Sequence, residues 1–318
     1  MDHHLVGWIV FSAVILIMMV LDLGVFNKNA HEITVKEAIL WSCVWIGLAL
    51  LFNLGVYLYL GERSGLEFLS GYLIEKSLSV DNIFVFVVIF KYFKVPPKYQ
   101  HKTLYWGIIG AVIMRGIFIA AGIALLNMFH WIIYVFGIFL IITGIKLGLQ
   151  KSDSKIEPQK NPVIKLLRRF IPIVQSFQGE KFIIRKMGKL VGTPLLIVLV
   201  VIESTDLVFA LDSIPAILAI SKDPFIVYSS NIFAILGLRS LYFALAGVMD
   251  YFRYLNIGLA VILCFVGVKM VLSDIYHISI EASLGIIALV LFTSVVASLY
   301  AEKKDIEKEE AKKKNPDT

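Results

Sequence analysis

A chain of 318 residues that is 58% hydrophobic, only 17% charged and has a mean hydropathy of +0.82 lies far from the soluble globular range, which excludes a soluble domain at the outset. A formal charge of +6 and a pI of about 9.1 would suit nucleic acid only if the basic residues formed a surface patch; they sit instead in short connections beside apolar runs. The two cysteines, Cys43 and Cys264, lie inside apolar runs without a CxxC or a neighbouring histidine, which argues against a disulfide framework and against a zinc site.

Nine apolar runs reach roughly the 20 residues that a helix needs to cross the hydrocarbon core of a bilayer. They cover about 5–26, 37–60, 67–90, 103–126, 130–149, 194–220, 225–247, 254–273 and 279–300. The pattern predicts an all-α polytopic membrane protein with about nine transmembrane helices. The first run is expected to stay as an anchor, since no basic stretch precedes it and no A-x-A cleavage site follows.

The connection at 150–193 is the long one. Ser152 to Pro162 is polar, whereas Val163 to Ile171 mixes apolar with basic residues, as an interfacial amphipathic helix does. Thr193-Pro194 reads as an N-cap followed by the proline favoured at the first helical position. Beyond residue 301 the chain alternates Lys and Glu without apolar anchors, and a frayed or disordered solubilising tail is expected. Lys and Arg number 23 on the side that receives 27–36, 91–102, 150–193, 248–253 and the tail, against Arg63 and Lys222 on the other. Positive connections stay cytoplasmic, so the N-terminus is expected outside and the C-terminus in the cytoplasm. The segments are then an N-terminal helix pair (1–66), a three-helix unit (67–149), the basic linker (150–193), a second three-helix unit (194–273), a last span (274–301) and the charged tail (302–318).

The two three-helix units echo each other. Aligning Asp81-Asn82-Ile83 with Asp212-Ser213-Ile214 puts Glu75 opposite Asp206; downstream, Arg115 finds an echo in Arg239, and Gly144-Ile145-Lys146 in Gly267-Val268-Lys269, with 31 residues from Arg to Lys in the first copy and 30 in the second. Four echoes in one order indicate a duplication. An odd number of helices per copy makes the copies enter the membrane from opposite sides, the inverted repeat of many secondary transporters, whose substrate sites lie near the midplane between the copies.

Beyond the first few residues of each run, six carboxylates fall inside: Asp22, Glu75, Asp81, Glu203, Asp206 and Asp212. Lys76, Arg115, Lys146, Arg239 and Lys269 accompany them. A charge at a bilayer centre costs on the order of 2.5–3.5 kcal/mol even on the mildest scale, so these groups have to pair or bind something. Structural ion pairing is the plain reading for the cations, and snorkelling suits Lys146 and Lys269. Asp22 is the weakest of the acids, near a helix end and outside the repeat. Glu203 and Asp206 share a helix face and can converge on one ion. Asp212 lies six beyond Asp206, roughly 120° around the helix, as Asp81 does from Glu75. Either each acidic helix serves two neighbouring sites, or it is broken between its acids, with Pro215, Ser77, Ser79, Ser204 and Thr205 available to allow a break or supply oxygens. Carboxylate, hydroxyl and amide oxygens without thiol or imidazole favour Mn²⁺, Mg²⁺ or Ca²⁺ over Zn²⁺ or Cu⁺.

The stretch Gly71-Tyr-Leu-Ile-Glu75-Lys-Ser-Leu-Ser-Val-Asp81-Asn82-Ile-Phe84, with Glu203-Ser-x-Asp206-Leu-Val-Phe-Ala-Leu-Asp212-Ser-Ile-Pro-Ala, Asp223-Pro-Phe-Ile and Asn231-Ile-Phe-Ala-Ile-Leu-Gly-Leu-Arg239, resembles the TerC/Alx family of integral membrane proteins. The resemblance runs from about Asp22 to Leu299. It implies a manganese exporter of the bacterial inner membrane, with the acids at Glu75, Asp81, Glu203, Asp206, Asp212 and Asp22 in the transport path. Some relatives are linked instead to metal loading of secreted enzymes or to membrane-protein assembly. The resulting expectation is a secondary transporter that exports Mn²⁺ by alternating access, with proton exchange as the candidate drive. The alternatives are another ion such as Ca²⁺, or a non-transporting assembly or metal-loading factor. Its metal-facing residues are Asp22, Glu75, Asp81, Asn82, Glu203, Asp206 and Asp212, with Lys76, Arg115 and Arg239 as counter-charges. The expected partners are a divalent metal ion and the lipid bilayer, without nucleic acid. No prosthetic group and no enzyme are expected, because GxxxxGK[ST], HExxH and GxSxG are all lacking.

Overall fold

Backbone polar groups inside a bilayer have to bond one another, so the apolar runs have one spanning solution open to them, the helix. The computed structural model describes residues 3–24, 34–129, 131–149, 169, 171–174, 176–186, 188–245, 254–276 and 278–314. Within these, the side chains of residues 3–6, 20–24, 81, 84, 255, 256 and 302–314 fall outside the described set. In chain order the elements are α1 (His3–Gly24), α2 (Val35–Leu60), α3 (Glu62–Tyr92), α4 (Pro97–Met128), α5 (Ile132–Leu149), β1 (Ile183–Lys186), β2 (Lys189–Gly192), α6 (Pro194–Leu218), α7 (Pro224–Leu236), α8 (Leu238–Leu245), α9 (Leu255–Val271) and α10 (Ile280–Lys314).

Every expected span contains a helix, and six are long and apolar enough to cross a membrane: Val35–Leu60, Pro97–Met128, Ile132–Leu149, Pro194–Leu218, Pro224–Leu245 and Ile280–Ala301. The other three stretches are helical but shorter or more charged. α1 and α9 contribute apolar segments Gly7–Met19 and Ile257–Val271. α3 has ample length, 31 residues, but carries Glu67, Glu75, Lys76, Asp81 and Lys91. Large apolar side chains such as Leu51, Leu58, Ile142, Leu289 and Phe292 are exposed on α2, α5 and α10, the surface a lipid solvent requires. Polar content runs the other way: α7–α8 has the lowest hydropathy of the six spans, 1.3, and is the most enclosed.

Several helix ends follow local chemistry. Thr34 caps α2 by accepting from the Glu37 N–H at 3.3 Å, and Asp223 caps α7 by accepting from the Phe225 N–H at 2.8 Å ahead of Pro224. Gly61, at φ 95°, makes the one-residue turn from α2 into α3. Thr193 stands at the N-cap of α6, yet its hydroxyl donates to the Lys181 carbonyl at 2.7 Å and ties the helix start to the chain before the antiparallel β1–β2 pair. The amphipathic helix expected over 163–171 lies for the most part outside the described residues. The charged tail, expected to be disordered, continues α10 to Lys314, because Glu, Lys and Ala readily extend a helix already nucleated by an apolar span.

Packing between residues 67–149 and 194–273 is reciprocal. α3 packs on α7 as α4 packs on α6, α3 meets α6, and α5 crosses α9 over their whole lengths. At that crossing a Cβ on Gly144 would stand 2.8 Å from the Ala260 carbonyl oxygen, and one on Gly267 would stand 2.6 Å from the Gly137 carbonyl oxygen, so the two backbones touch. Replacing Gly267 by Ala is expected to destabilise the protein by about 1–3 kcal/mol, because backbone rather than a flexible side chain has to give way. Gly55→Ala, with open space around the new methyl, is expected to stay within about 0.5 kcal/mol. Unfolding of the two purified variants in detergent checks both.

Candidate functional site: a guanidinium between buried carboxylates

The site is assembled where two helices come unusually close. Gly71 of α3 faces Ser230 of α7, and a Cβ at Gly71 would stand 2.8 Å from the Ser230 Oγ. One turn further along α3, Glu75 then meets the next residue of α7: the Asn231 Nδ2 donates to the Glu75 Oε2 at 3.2 Å. Arg115 enters the same space from α4. Its Nη1 donates to the Glu75 Oε1, to the Asn231 Oδ1 at 2.9 Å and to the Ser213 Oγ at 3.3 Å. On its other side it clasps Asp206 of α6, Nη2 to Oδ1 at 3.1 Å and Nε to Oδ2 at 3.4 Å. Glu75 and Arg115 are fully buried and Asp206 is 4% exposed. Only a planar guanidinium with its fixed fork of donors can serve acceptors on three neighbouring helices in this way.

The remaining acids divide by their place on the helix. Glu203, one turn before Asp206 and on the same face of α6, packs its carboxylate directly over Gly110 of α4, where a Cβ would collide with it. It is half-buried and has no hydrogen-bond or ion-pair partner among the described residues. Asp212 turns toward α5 instead, accepting from the Thr143 hydroxyl at 3.3 Å. α3 and α6 both run unbroken through their acids, and α6 presents Asp206 to α4 and Asp212 to α5. The interruption falls at Gly237 between α7 and α8, two residues before Arg239. Ser77, Ser204 and Thr205 donate to carbonyls of their own helices. By contrast the Ser79 Oγ and the Asn82 Oδ1, on the α3 face that follows Glu75, are buried without a hydrogen-bond partner among the described residues.

The candidate counter-charges separate in the same way. Lys76 does not turn to an acid: its Nζ donates to the Ala234 carbonyl at 3.3 Å and lies against Gly237, at the junction of α7 and α8. Arg239 is buried and lines a small cavity that Asp206 also lines. Lys269 reaches the Ser283 hydroxyl of α10 at 2.8 Å, and Lys146 is exposed. The side chains of Asp22 and Asp81 lie outside the described set; Asp22 belongs to α1 and Asp81 stands on α3 between Ser79 and Asn82. Among the described residues no three His, Cys, Asp or Glu side chains converge as a metal site. Arg115 occupies the position between Glu75 and Asp206. Reasoning from sequence missed Asn231, Ser213, Thr143 and Gly110. The signals were an asparagine in the middle of an apolar span and the alignment of Ser213 with Asn82.

Fold and site together define a polytopic α-helical membrane protein with ionisable groups enclosed between its helices. The chain belongs to the integral membrane protein TerC family, whose model matches residues 60–306. It is similar to an uncharacterized membrane protein of Myxococcus xanthus, 52% identical over 292 residues that cover 92% of this chain and 91% of the relative. It is also similar to proteins described as "Putative membrane-bound redox modulator Alx": that of Salmonella typhi at 46% identity over 302 residues, and that of Escherichia coli K12 at 45% over 302 residues, each covering 92% of this chain and 94% of the relative. No solved structure matches the chain.

Removing one partner from a buried ion pair leaves the other charge stranded, so Asp206→Asn is expected to destabilise the protein by about 3–5 kcal/mol. Asp212→Asn, which at most weakens the single hydrogen bond donated by Thr143, is expected to cost no more than about 1.5 kcal/mol. Thermal unfolding of the two variants in one detergent measures the difference.

Proposed function

We propose that this chain is a secondary transporter that exports Mn²⁺ from the cytoplasm across the bacterial inner membrane, by alternating access through the carboxylates of α3 and α6. The observation that carries the reading is Glu203. A half-buried carboxylate one turn from Asp206, held against a glycine and spent on no partner among the described residues, is poorly explained as a packing element. It is well explained as a ligand awaiting an ion. Asp206, Glu75, Ser79 and Asn82 add oxygen donors, Asp22, Asp81 and Asp212 extend the path along the helices, and the set suits a hard or borderline divalent cation.

The architecture of the proposal has nine crossings in two inverted three-helix copies. Support for the copies comes from the reciprocal packing of α3 on α7 and α4 on α6, and from the duplicated glycines Gly144 and Gly267, each of which faces the backbone of the other helix at the α5–α9 crossing. The excess of Lys and Arg on one set of connections supports an outside N-terminus and a cytoplasmic C-terminus. Inward proton movement supplies a drive, since a protonated carboxylate releases its metal. No chemical reaction is assigned to the chain. The wording "redox modulator" in the relatives' description finds no dithiol here: Cys43 and Cys264 sit on separate helices, α2 and α9. A redox effect would then follow indirectly from manganese supply.

Purified protein in liposomes loaded with Mn²⁺ tests the reading. Wild type is expected to release Mn²⁺, with Ca²⁺ and Mg²⁺ competing poorly. Glu203→Gln is expected to lower efflux by at least about tenfold while its unfolding midpoint stays within about 0.5 kcal/mol of wild type. Mn²⁺ release at the wild-type rate from Glu203→Gln would remove the site, and absence of any metal flux from wild type would remove the function.

A further inference from the structure

Arg115 and Arg239 are counterparts in the repeat, and so are Glu75 with Asp206 and Asn82 with Ser213. In the structure Arg115 holds three of the other members, Glu75, Asp206 and Ser213. Exchanging the roles of the two copies turns that set into Arg239 on Asp206, Glu75 and Asn82. Three independent observations fit the exchanged arrangement. Asn82, the counterpart of Ser213, is 2% exposed and its Oδ1 has no hydrogen-bond partner among the described residues. Arg239 and Asp206 line one cavity of about 10 Å³, with Phe86, one helical turn beyond Asn82, also in its wall. The helix break at Gly237 separates α8, which carries Arg239, from α7, and a break of that kind lets a short segment move on its own.

We propose that Arg115 and Arg239 are two tethered cations that take turns on the Glu75 and Asp206 carboxylates: Arg115 in the state described here, Arg239 in the state open to the opposite side. The inference rests on the transport reading above and deepens it. A carrier that has released Mn²⁺ has to return through the low-dielectric core, and two bare carboxylates oppose that return. A guanidinium does not lose its proton, so it substitutes for the departed metal in either state. Metal and guanidinium compete for the same oxygens, and net export becomes possible because the empty carrier is never without a cation.

Two fluxes measured on one preparation test this: net Mn²⁺ efflux into metal-free buffer, and exchange of radioactive Mn²⁺ against external Mn²⁺. Net efflux needs the empty carrier to return, whereas exchange does not. Arg115→Gln and Arg239→Gln are each expected to lower the ratio of net efflux to exchange by at least about tenfold, with exchange retained. Arg115→Lys and Arg239→Lys keep the charge but lose the fork of donors, and are expected to lower the ratio by less than about tenfold. A wild-type ratio in either glutamine variant overturns the inference, as does loss of exchange in a glutamine variant that remains monodisperse. Where a glutamine variant does not fold, the lysine variants decide, and a tenfold fall in their ratio overturns it. Failure of the transport reading looks different, since wild type itself then shows neither flux.

Discussion

Everything in this membrane protein is arranged so that one guanidinium can lie between two carboxylates away from water. Arg115 bonds Glu75 of α3 and Asp206 of α6, while Asn231 and Ser213 take further hydrogen-bonding positions around it. A lone charge at such depth costs on the order of 2.5–3.5 kcal/mol even on the gentlest scale, so the three groups stand or fall together. The cluster sets two acids against one base, and Glu203 stands one turn away as a third acid. Such a core holds its shape when empty and retains an electrostatic preference for one more cation.

Side-chain size at the helix contacts is what makes the cluster possible. Gly71 lets α7 close on α3 and carries Asn231 over Glu75. Gly110 leaves room on α4 for the Glu203 carboxylate. Gly144 and Gly267 allow α5 and α9 to cross in backbone contact. Small residues are the usual means of close helix approach in lipid, where no hydrophobic force distinguishes a neighbouring helix from an acyl chain. Here they also set the register that brings ionisable groups from α3, α4 and α6 to one point.

Much of this was legible in the sequence, and the missing parts share a cause. Apolar run length located the described helices, because run length is a local property, and the 120° offset of Asp212 from Asp206 fits its turn toward Thr143 of α5. Whether the acidic helices are broken was open, since Pro215 is compatible with a continuous helix when neighbours satisfy the freed carbonyl; α6 in fact runs to Leu218. Lys76 was expected as a counter-charge to the acids, but its direction depends on α7, more than a hundred residues later, whose Ala234 carbonyl it meets. Thr193 likewise gave up its cap for a contact with Lys181 that no local pattern encodes. Asn231 looked like one polar residue in an apolar helix, and only the close contact at Gly71 and Ser230 shows what it serves.

The central claim is that cation and guanidinium share one set of oxygens, and locating bound Mn²⁺ tests it most directly. A structure determined with Mn²⁺, identified by its anomalous scattering, is predicted to place the ion among Glu75, Glu203 and Asp206 with the Arg115 guanidinium no longer between them. An ion bound away from these carboxylates, or an intact Glu75–Arg115–Asp206 bridge beside an ion bound to those same carboxylates, would contradict the account.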